Sequence, residues 1–454
     1  MVKTETKFDG FDKEIRKPEL SIVFFENPTH VAASFLEEHR KKTIKSLEEL
    51  DLKIKKTLSV NANSDTDEVV RNLQEDQPNL LLCTFTSWVE EFLPIRVLNS
   101  LNIPIYLWSV PHGTAHSLLS GITATASNLR QLSKSFFYGI GSEESNDIFQ
   151  EIRDCTLAAF LKRKTQAIRI GLFGQNCPGM IDVGGDDMAL ATLGPEVIRY
   201  ELSDLTQVYD QISEGLAERS VSALVENVGG GIEPGQEELV RSARMHLALI
   251  EKIKKDHLDM VGVRCWPELR AEYKVHPCLA FSNLMDKGIM GICENDPTSG
   301  VTMWALYHAS GEPVFLADMG RINQAAGILS LCHCGVASTQ LAADQDSVQI
   351  RRYVLQPKGG VCIEFPLKRG PVTLAKLMRP QRGLFSMFLA KGESVEGPDH
   401  RGSIIYVKPE ADVNRFISTM IEEGVEHHIT VGYGDLVAPL ERWCQMMDIR
   451  TILL

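Results

Sequence analysis

Three stretches of the chain place acidic or imidazole side chains directly beside short apolar runs. Gly288-Ile289-Met290-Gly291-Ile292-Cys293 leads into Glu294-Asn295-Asp296, Pro313-Val314-Phe315-Leu316-Ala317 leads into Asp318, and His427-His428 opens the alternating Ile429-Thr430-Val431. The carboxyl ends of strands are where α/β proteins gather their ligands. Glu294 and Asp318 stand 24 positions apart (318 − 294), with the helical stretch Gly300–Ser310 between them. One strand–helix–strand crossover of that length returns both carboxylates to adjacent strand ends on one edge. Two converging carboxylates repel unless a cation lies between them or one is protonated. With imidazoles added and coordination positions left open, such an oxygen-rich site suits Mn²⁺, Mg²⁺ or Fe²⁺ better than a closed structural zinc.

Simpler roles compete for the same residues. Asp296 precedes Pro297 and reads as a helix cap, which leaves Glu294 without a structural duty. The tandem rings of His427 and His428 face opposite sides if the strand has begun, so one ligates while the other packs or donates a hydrogen bond. His333, in Leu331-Cys332-His333-Cys334-Gly335, reads from its surroundings as a core histidine. Cys332 and Cys334 flank it at i±1 and point away from it on a strand, so they read as packing thiols, not a zinc knot. Trp266 and Trp304 are suited to fill a core or to offer a flat apolar face to a ligand. Val228-Gly229-Gly230-Gly231-Ile232 lacks the Lys-Ser/Thr of a phosphate loop and reads as a turn. No G-x-S-x-G elbow is present, which weakens a serine hydrolase.

Elements must hold these residues, and the alternation of apolar runs with amphipathic segments supplies them. Strands are expected at Ser21–Phe25, Leu52–Leu58, Asn79–Phe85 and Ile103–Trp108, with helices near His30–Leu47, Asp65–Asn72, Trp88–Leu98 and Glu144–Lys162. A second series follows, with strands at Ala167–Phe173, Val197–Leu202, Ser220–Val225 and Met260–Cys265 and helices near Leu205–Leu216 and Glu237–Lys255. Strand–helix alternation means parallel sheets covered by helices. Beyond residue 345 the segments Val348–Val354, Gly360–Phe365 and Ser403–Val407 are short, alternating and punctuated by Gly and Pro. The expected fold class is therefore α/β, with two doubly wound parallel-sheet domains (19–165 and 166–345) and a β-rich C-terminal domain (346–454) after a flexible leader (1–18).

Composition narrows the function classes. The 454 residues carry a formal charge of −13 and are 44% hydrophobic and 24% charged. An acidic total argues against a nucleic-acid partner and against anionic membrane surfaces. The charged start shows no secretory signal, and the long uncharged stretch Val97–Leu129 is broken by Pro104, Pro111 and His112, so no membrane span is expected. The ten cysteines, none in a CxxC pair, suit a reduced compartment. A cytoplasmic enzyme is the expectation.

The chain resembles the L-fucose isomerase / L-arabinose isomerase superfamily. The resemblance is carried by Arg264-Cys265-Trp266-Pro267-Glu268, Cys293-Glu294-Asn295-Asp296 with Thr302-Met303, Leu316-Ala317-Asp318, Cys332-His333-Cys334-Gly335 and Glu426-His427-His428-Ile429-Thr430-Val431. It implies a three-domain α/β protein with a divalent ion, usually manganese, with Mg²⁺, Fe²⁺ or Co²⁺ as alternatives, that interconverts an aldose and a ketose. It implies Glu294, Asp318 and His428 as ligands, with His333 in the place of a further ligand of the arabinose type, and Glu294 and Asp318 as the proton-transfer pair. Asp318 stands where arabinose-type members have Glu, which favours the fucose-like side. A homo-oligomer, trimer or hexamer, is implied too, with Trp88 a candidate substrate contact from a neighbouring copy. His427, Trp266 and Trp304 complete the candidate substrate-binding set. Two other readings share the chemistry: a non-catalytic sugar-binding or sensor protein, and a metal-dependent sugar epimerase or aldolase. The sugar depends on loops such as Ser109–Ser117, Gln175–Asp187 and Lys391–Arg401, whose shape the sequence does not give.

Overall fold

The computed structural model describes residues 17–110, 118–354, 360–398 and 401–454. The expected leader falls outside the described residues up to residue 16, as do most of the loop Ser109–Ser117 and two positions of Lys391–Arg401. The chain forms two compact units that part between Arg163 and Lys164.

The first unit alternates β1 (Glu19–Phe25), α1 (Ala33–Glu48), β2 (Lys53–Val60), α2 (Thr66–Asp76), β3 (Leu80–Phe85), α3 (Phe92–Asn99), β4 (Ile105–Ser109), α4 (Leu118–Gln131), β5 (Phe137–Ile140) and α5 (Asn146–Thr165). Its strands form one parallel sheet in the order β2-β1-β3-β4-β5. The central strand β3, Leu-Leu-Leu-Cys-Thr-Phe, is buried along its whole length, as a parallel strand covered on both faces must be. The edge strand β2 exposes Lys53 and Thr57 and keeps Lys55 and Lys56 near solvent, a charge pattern that blocks edge pairing.

The second unit opens with β6 (Arg169–Phe173), α6 (Asp187–Leu193), β7 (Glu196–Tyr200), α7 (Leu202–Gln211), α8 (Glu214–Leu224), β8 (Gly231–Ile232), α9 (Gln236–Asp256), β9 (Met260–Val263), α10 (Cys278–Met285), β10 (Met290–Cys293) and α11 (Pro297–Ser310). It continues with β11 (Phe315–Asn323), β12 (Ile328–His333), β13 (Gln349–Arg352), β14 (Val361–Glu364), β15 (Gly370–Gln381), β16 (Leu384–Val395) and β17 (Ser403–Pro409), and ends with α12 (Val413–Glu423), β18 (His428–Tyr433), α13 (Val437–Met446) and β19 (Arg450–Leu453). Strands β10-β9-β6-β7 make a small parallel sheet. Strands β15-β18-β11-β12-β17-β16 are antiparallel neighbours, and β15 pairs back onto β16, so they close into a barrel with β19 added along β16. The fold class is thus mixed α/β, with two parallel sheets flanked by helices and a β-rich sheet in the C-terminal part.

Two expectations are corrected. Ser220–Val225 is not a strand: Ser220–Leu224 completes α8, because its buried positions Ala217, Val221 and Leu224 recur at helical spacing. Glu294 and Asp318 do not lie on adjacent strands of one sheet. The crossover α11 leaves the small parallel sheet at β10 and enters the barrel at β11. Helix α11 is apolar all round and buried from Pro297 to Leu306, as befits a helix packed against β10, β15 and β18 at once. The seam between the two sheets is where the candidate chemistry collects.

Candidate metal centre

At the carboxyl end of β10 the backbone turns sharply, with Glu294 at φ 59° and Asn295 at φ 61°. Non-glycine residues in this left-handed region cost about 1–3 kcal/mol each and persist where surrounding contacts impose them. Here the imposing contacts are visible. The Asn295 amide donates to the carbonyl oxygens of Phe173, Gly174 and Gln175 at 3.0–3.1 Å, pinning the turn to the loop after β6. Asp296 then caps α11 by accepting the backbone N–H of Ser299 at 3.0 Å. The turn fits only because β9 carries glycine below it: a Cβ on Gly262 would stand 2.6 Å from Asn295 Oδ1 and 2.7 Å from a Leu172 methyl. Gly262→Ala is expected to destabilise the protein by about 1–3 kcal/mol through overpacking and to displace Glu294. Urea denaturation measures the first effect, and divalent-ion affinity measures the second.

The barrel supplies the other half. Asp318 on β11 pairs directly with His428 on β18, so both side chains rise from the same face at neighbouring positions. His428 is fully buried, with Nε2 3.3 Å from Glu294 Oε2 and 3.5 Å from Asp318 Oδ1. His333 closes the group at the end of β12. One donor atom each from Asp318, His333 and His428 lies within 4.8 Å of the others, and the same holds for Glu294, His427 and His428. Asp318 Oδ1, His333 Nε2 and His428 Nε2 are buried without a hydrogen-bond partner. Buried polar atoms left unpaired are costly, and three of them facing one point are the donor set a divalent ion satisfies.

Asp296 does more than cap. Its Oδ2 stands 2.9 Å from His428 Nδ1, 2.7 Å from Lys376 Nζ and 2.6 Å from the Ser299 hydroxyl. With Asp296 ionised, His428 Nδ1 is the donor and Nε2 is left to face the cluster, the arrangement that orients ligand histidines. Burial opposes ionisation of Asp296, but the Lys376 ammonium and the His428 contact hold it well below the usual carboxylate range. Lys376 is itself fully buried between Asp296 and Glu426, at 2.7 and 3.2 Å.

Burial works against a charge on His428, yet its contacts with Asp296 and Glu294 push the imidazole up to about 9. Near neutral pH the ion-free protein therefore carries a proton on this ring, and a metal must displace it. Binding of Mn²⁺ near neutral pH is expected to release about one proton from His428, with release from this ring fading as pH passes about 9. A weakly buffered indicator dye measures it. Affinity should rise with pH over the same window, because deprotonation frees the ligand.

His427 lies between the cluster and the rim. Its Nδ1 pairs with Asp182 Oδ2 at 2.6 Å, and Nε2 stands 3.8 Å from Asp318 Oδ1. Burial would raise Asp182, but His427 holds it below its ordinary value. This pair ties the Gln175–Asp187 loop to the start of β18 and leaves His427, partly exposed, at the rim of a cleft of about 430 Å³ that Asp182, Arg379 and Glu426 also line. Trp266 is half-buried with the Arg270 guanidinium 6.0 Å from its ring centre. Trp304 lies inside α11, edge-on to His308 at 4.2 Å. Trp88 belongs to the other unit, in the loop after β3, where its carbonyl accepts from Asn27 at 3.3 Å. Cys334 does not point away from His333, contrary to the strand-based expectation: β12 ends at His333, and the Cys334 sulfur sits 3.1 Å from His333 Nδ1.

Sequence reasoning missed Lys376, Glu426 and Asp182 as parts of this centre and saw in Asp296 only a cap. Lys376 had a signal: it is a lone cation inside the apolar run Leu374-Ala375-Lys376-Leu377-Met378, and a fully buried lysine requires a partner. Asp182 sits in a polar loop and had none.

No protein-family model matches the chain. It is 23% identical over 403 residues to a protein from Alkalicoccus urumqiensis named sulfoquinovose isomerase, covering 86% of this chain and 88% of that one. Proteins of the same name from Priestia megaterium (strain ATCC 12872 / QMB1551) and Clostridium sp. (strain MSTE9) are each 22% identical, over 375 and 382 residues. They cover 80% and 82% of this chain and 82% and 85% of their own lengths. Among solved structures, a periplasmic solute binding protein from Actinobacillus succinogenes 130z with bound D-allose aligns over 65% of this chain and 93% of its own, at 12% identity and a TM-score of 0.19. That score is too low to carry any argument. Among the described residues, no helix is long and apolar enough to cross a membrane.

Proposed function

We propose that this chain is a divalent-metal-dependent aldose–ketose isomerase of the fucose-isomerase-like kind, converting a sugar through a cis-enediolate. The observation that carries the reading is that His428 Nε2 lies 3.3 Å from Glu294 and 3.5 Å from Asp318, with His333 grouped beside Asp318 and three buried polar atoms lacking partners. The names of the relatives, all sulfoquinovose isomerases over four fifths or more of this chain, support it.

Glu294, Asp318 and His428, with His333 beside them, would hold Mn²⁺ or, in its place, Mg²⁺, Fe²⁺ or Co²⁺. An ion held there supplies Lewis-acid stabilisation of the negative charge that develops on the sugar's oxygens. The rest falls to the chain's own groups. Moving a carbonyl from C1 to C2 requires taking a proton from the carbon beside it and returning one to its neighbour. Glu294 and Asp318 are the two carboxylates placed to do so, one as base and one as acid. A positioned group of this kind contributes roughly 10²–10⁴-fold. His427, oriented by Asp182, is placed to hold a substrate hydroxyl at the rim. Trp266 and Trp88, the latter from a neighbouring copy in a trimer or hexamer, are the proposed contacts for the sugar's apolar face, with Trp304 supporting from within α11.

The test is a panel of aldoses and ketoses, headed by sulfoquinovose, incubated with protein and Mn²⁺ in deuterated water and followed by NMR. The expected result is a ketose product with solvent deuterium at C2 of the recovered aldose. Fragmentation of the sugar, a C-epimer as the only product, or no turnover of any sugar in the panel would overturn the reading.

A further inference from the structure

Half of the ten cysteines gather at one place beside the carboxylate–imidazole centre, brought there by separate segments. Cys177 lies in the loop after β6, Cys265 follows β9, Cys278 opens α10, Cys293 ends β10 and Cys334 follows β12. The Cys334 sulfur stands 3.6 Å from that of Cys278 and 3.9 Å from that of Cys293. The Cys265 sulfur lies within 4.8 Å of that of Cys293, and Cys177 adjoins Cys265. Thiolates bound at about 2.3 Å to a tetrahedral ion stand about 3.8 Å apart, and the two distances at Cys334 bracket that value. Donor atoms of Cys293, Cys334 and His333 already lie within 4.8 Å of one another, as do those of Cys265, Cys293 and Glu294.

We propose that Cys293 and Cys334, with Cys278 beside them, form a second metal site that takes a soft, thiophilic d¹⁰ ion such as Cd²⁺ or Zn²⁺. Sulfur donors select this class of ion, whereas the neighbouring carboxylates select hard ones. Cys334 is partly exposed and gives the entry path, while Cys278 and Cys293 are buried. Each thiol that coordinates gives up its proton to solvent, and the ion takes the lone pair so freed. The inference does not rest on the isomerase reading, since a protein inert to every sugar would still show the site.

The experiment titrates Cd²⁺ into full-length protein saturated with Mn²⁺, so that the hard site is filled, and follows the ultraviolet thiolate-to-cadmium charge-transfer band. One equivalent of Cd²⁺ should saturate the band. The band should be lost in Cys334→Ser and kept in Cys444→Ser, which removes a buried thiol of α13 outside the cluster. In a second arm on the unaltered protein, Cd²⁺ should protect Cys334 from alkylation by iodoacetamide, mapped by mass spectrometry. Absence of the band, its persistence in Cys334→Ser, or unprotected Cys334 in the presence of Cd²⁺ would each overturn the proposal.

Discussion

Glu294→Gln is expected to lower kcat by roughly 10²–10⁴-fold even at saturating Mn²⁺, while the far-ultraviolet circular dichroism stays that of the unaltered protein. The substitution keeps the size of the side chain and the left-handed backbone at position 294 but removes the charge, one ligand oxygen and the ability to accept a proton. Glutamine leaves the Asn295 clamp and the Asp296 cap untouched, so the turn should persist. Working at saturating metal separates a lost proton-transfer group from a merely weakened ligand, because the second deficit is recoverable with excess ion. Activity within a few fold of the unaltered enzyme would remove Glu294 from the chemistry.

Lys376→Met carries the largest expected effect on stability. The ammonium lies between Asp296 and Glu426 with no exposure of its own, and it receives support from the Thr298 and Ser299 hydroxyls at 3.2 and 2.8 Å. Methionine fills the space but leaves two buried carboxylates without their shared cation. Removing one partner of such a pair costs about 3–5 kcal/mol, because an uncompensated charge stays behind. Arg379, 3.0 Å from Glu426, offsets part of this on one side only. On the other side Asp296 relieves its charge by taking up a proton, and a protonated Asp296 no longer fixes the His428 tautomer. Metal affinity should therefore fall together with stability, although position 376 touches no candidate ligand of the ion directly. Urea denaturation and Mn²⁺ titration measure the two losses. A stability loss below 1 kcal/mol with unchanged affinity would contradict this account of the network.

Much of this architecture is legible in the sequence, for reasons particular to the residues. The strand at Leu80–Phe85 is a continuous apolar run of the kind a doubly covered parallel strand requires, and the expected run Asn79–Phe85 overlaps it. Glu294, Asp318 and the His427-His428 pair stood out because each sits where an apolar strand meets polar chain, with His428 singled out by the family resemblance, and the structure places His428 Nε2 3.3 Å from Glu294 and 3.5 Å from Asp318. Their ligand role is the proposal. The topology between them was not legible. A strand–helix–strand pattern does not say whether its second strand returns to the same sheet, and here β11 joins a barrel instead. The long hairpin of β15 and β16, which closes that barrel, also escaped notice. Its residues are buried from Val372 to Met378 and from Phe385 to Ala390, so the inside–outside alternation that marks a half-exposed strand is missing. The thiol cluster escaped for a different reason. Spacing along a strand places Cys334 opposite His333 only while the strand continues, and β12 stops one residue too early.

Crystals of the protein soaked with Mn²⁺ and measured at a wavelength where manganese scatters anomalously test the central claim most directly. The account predicts one dominant anomalous peak within coordination distance of Glu294, Asp318 and His428, and its weakening in Asp318→Asn crystals soaked at the same Mn²⁺ concentration. Density showing these three side chains hydrogen-bonded only to one another or to water, with no peak among them, would contradict it.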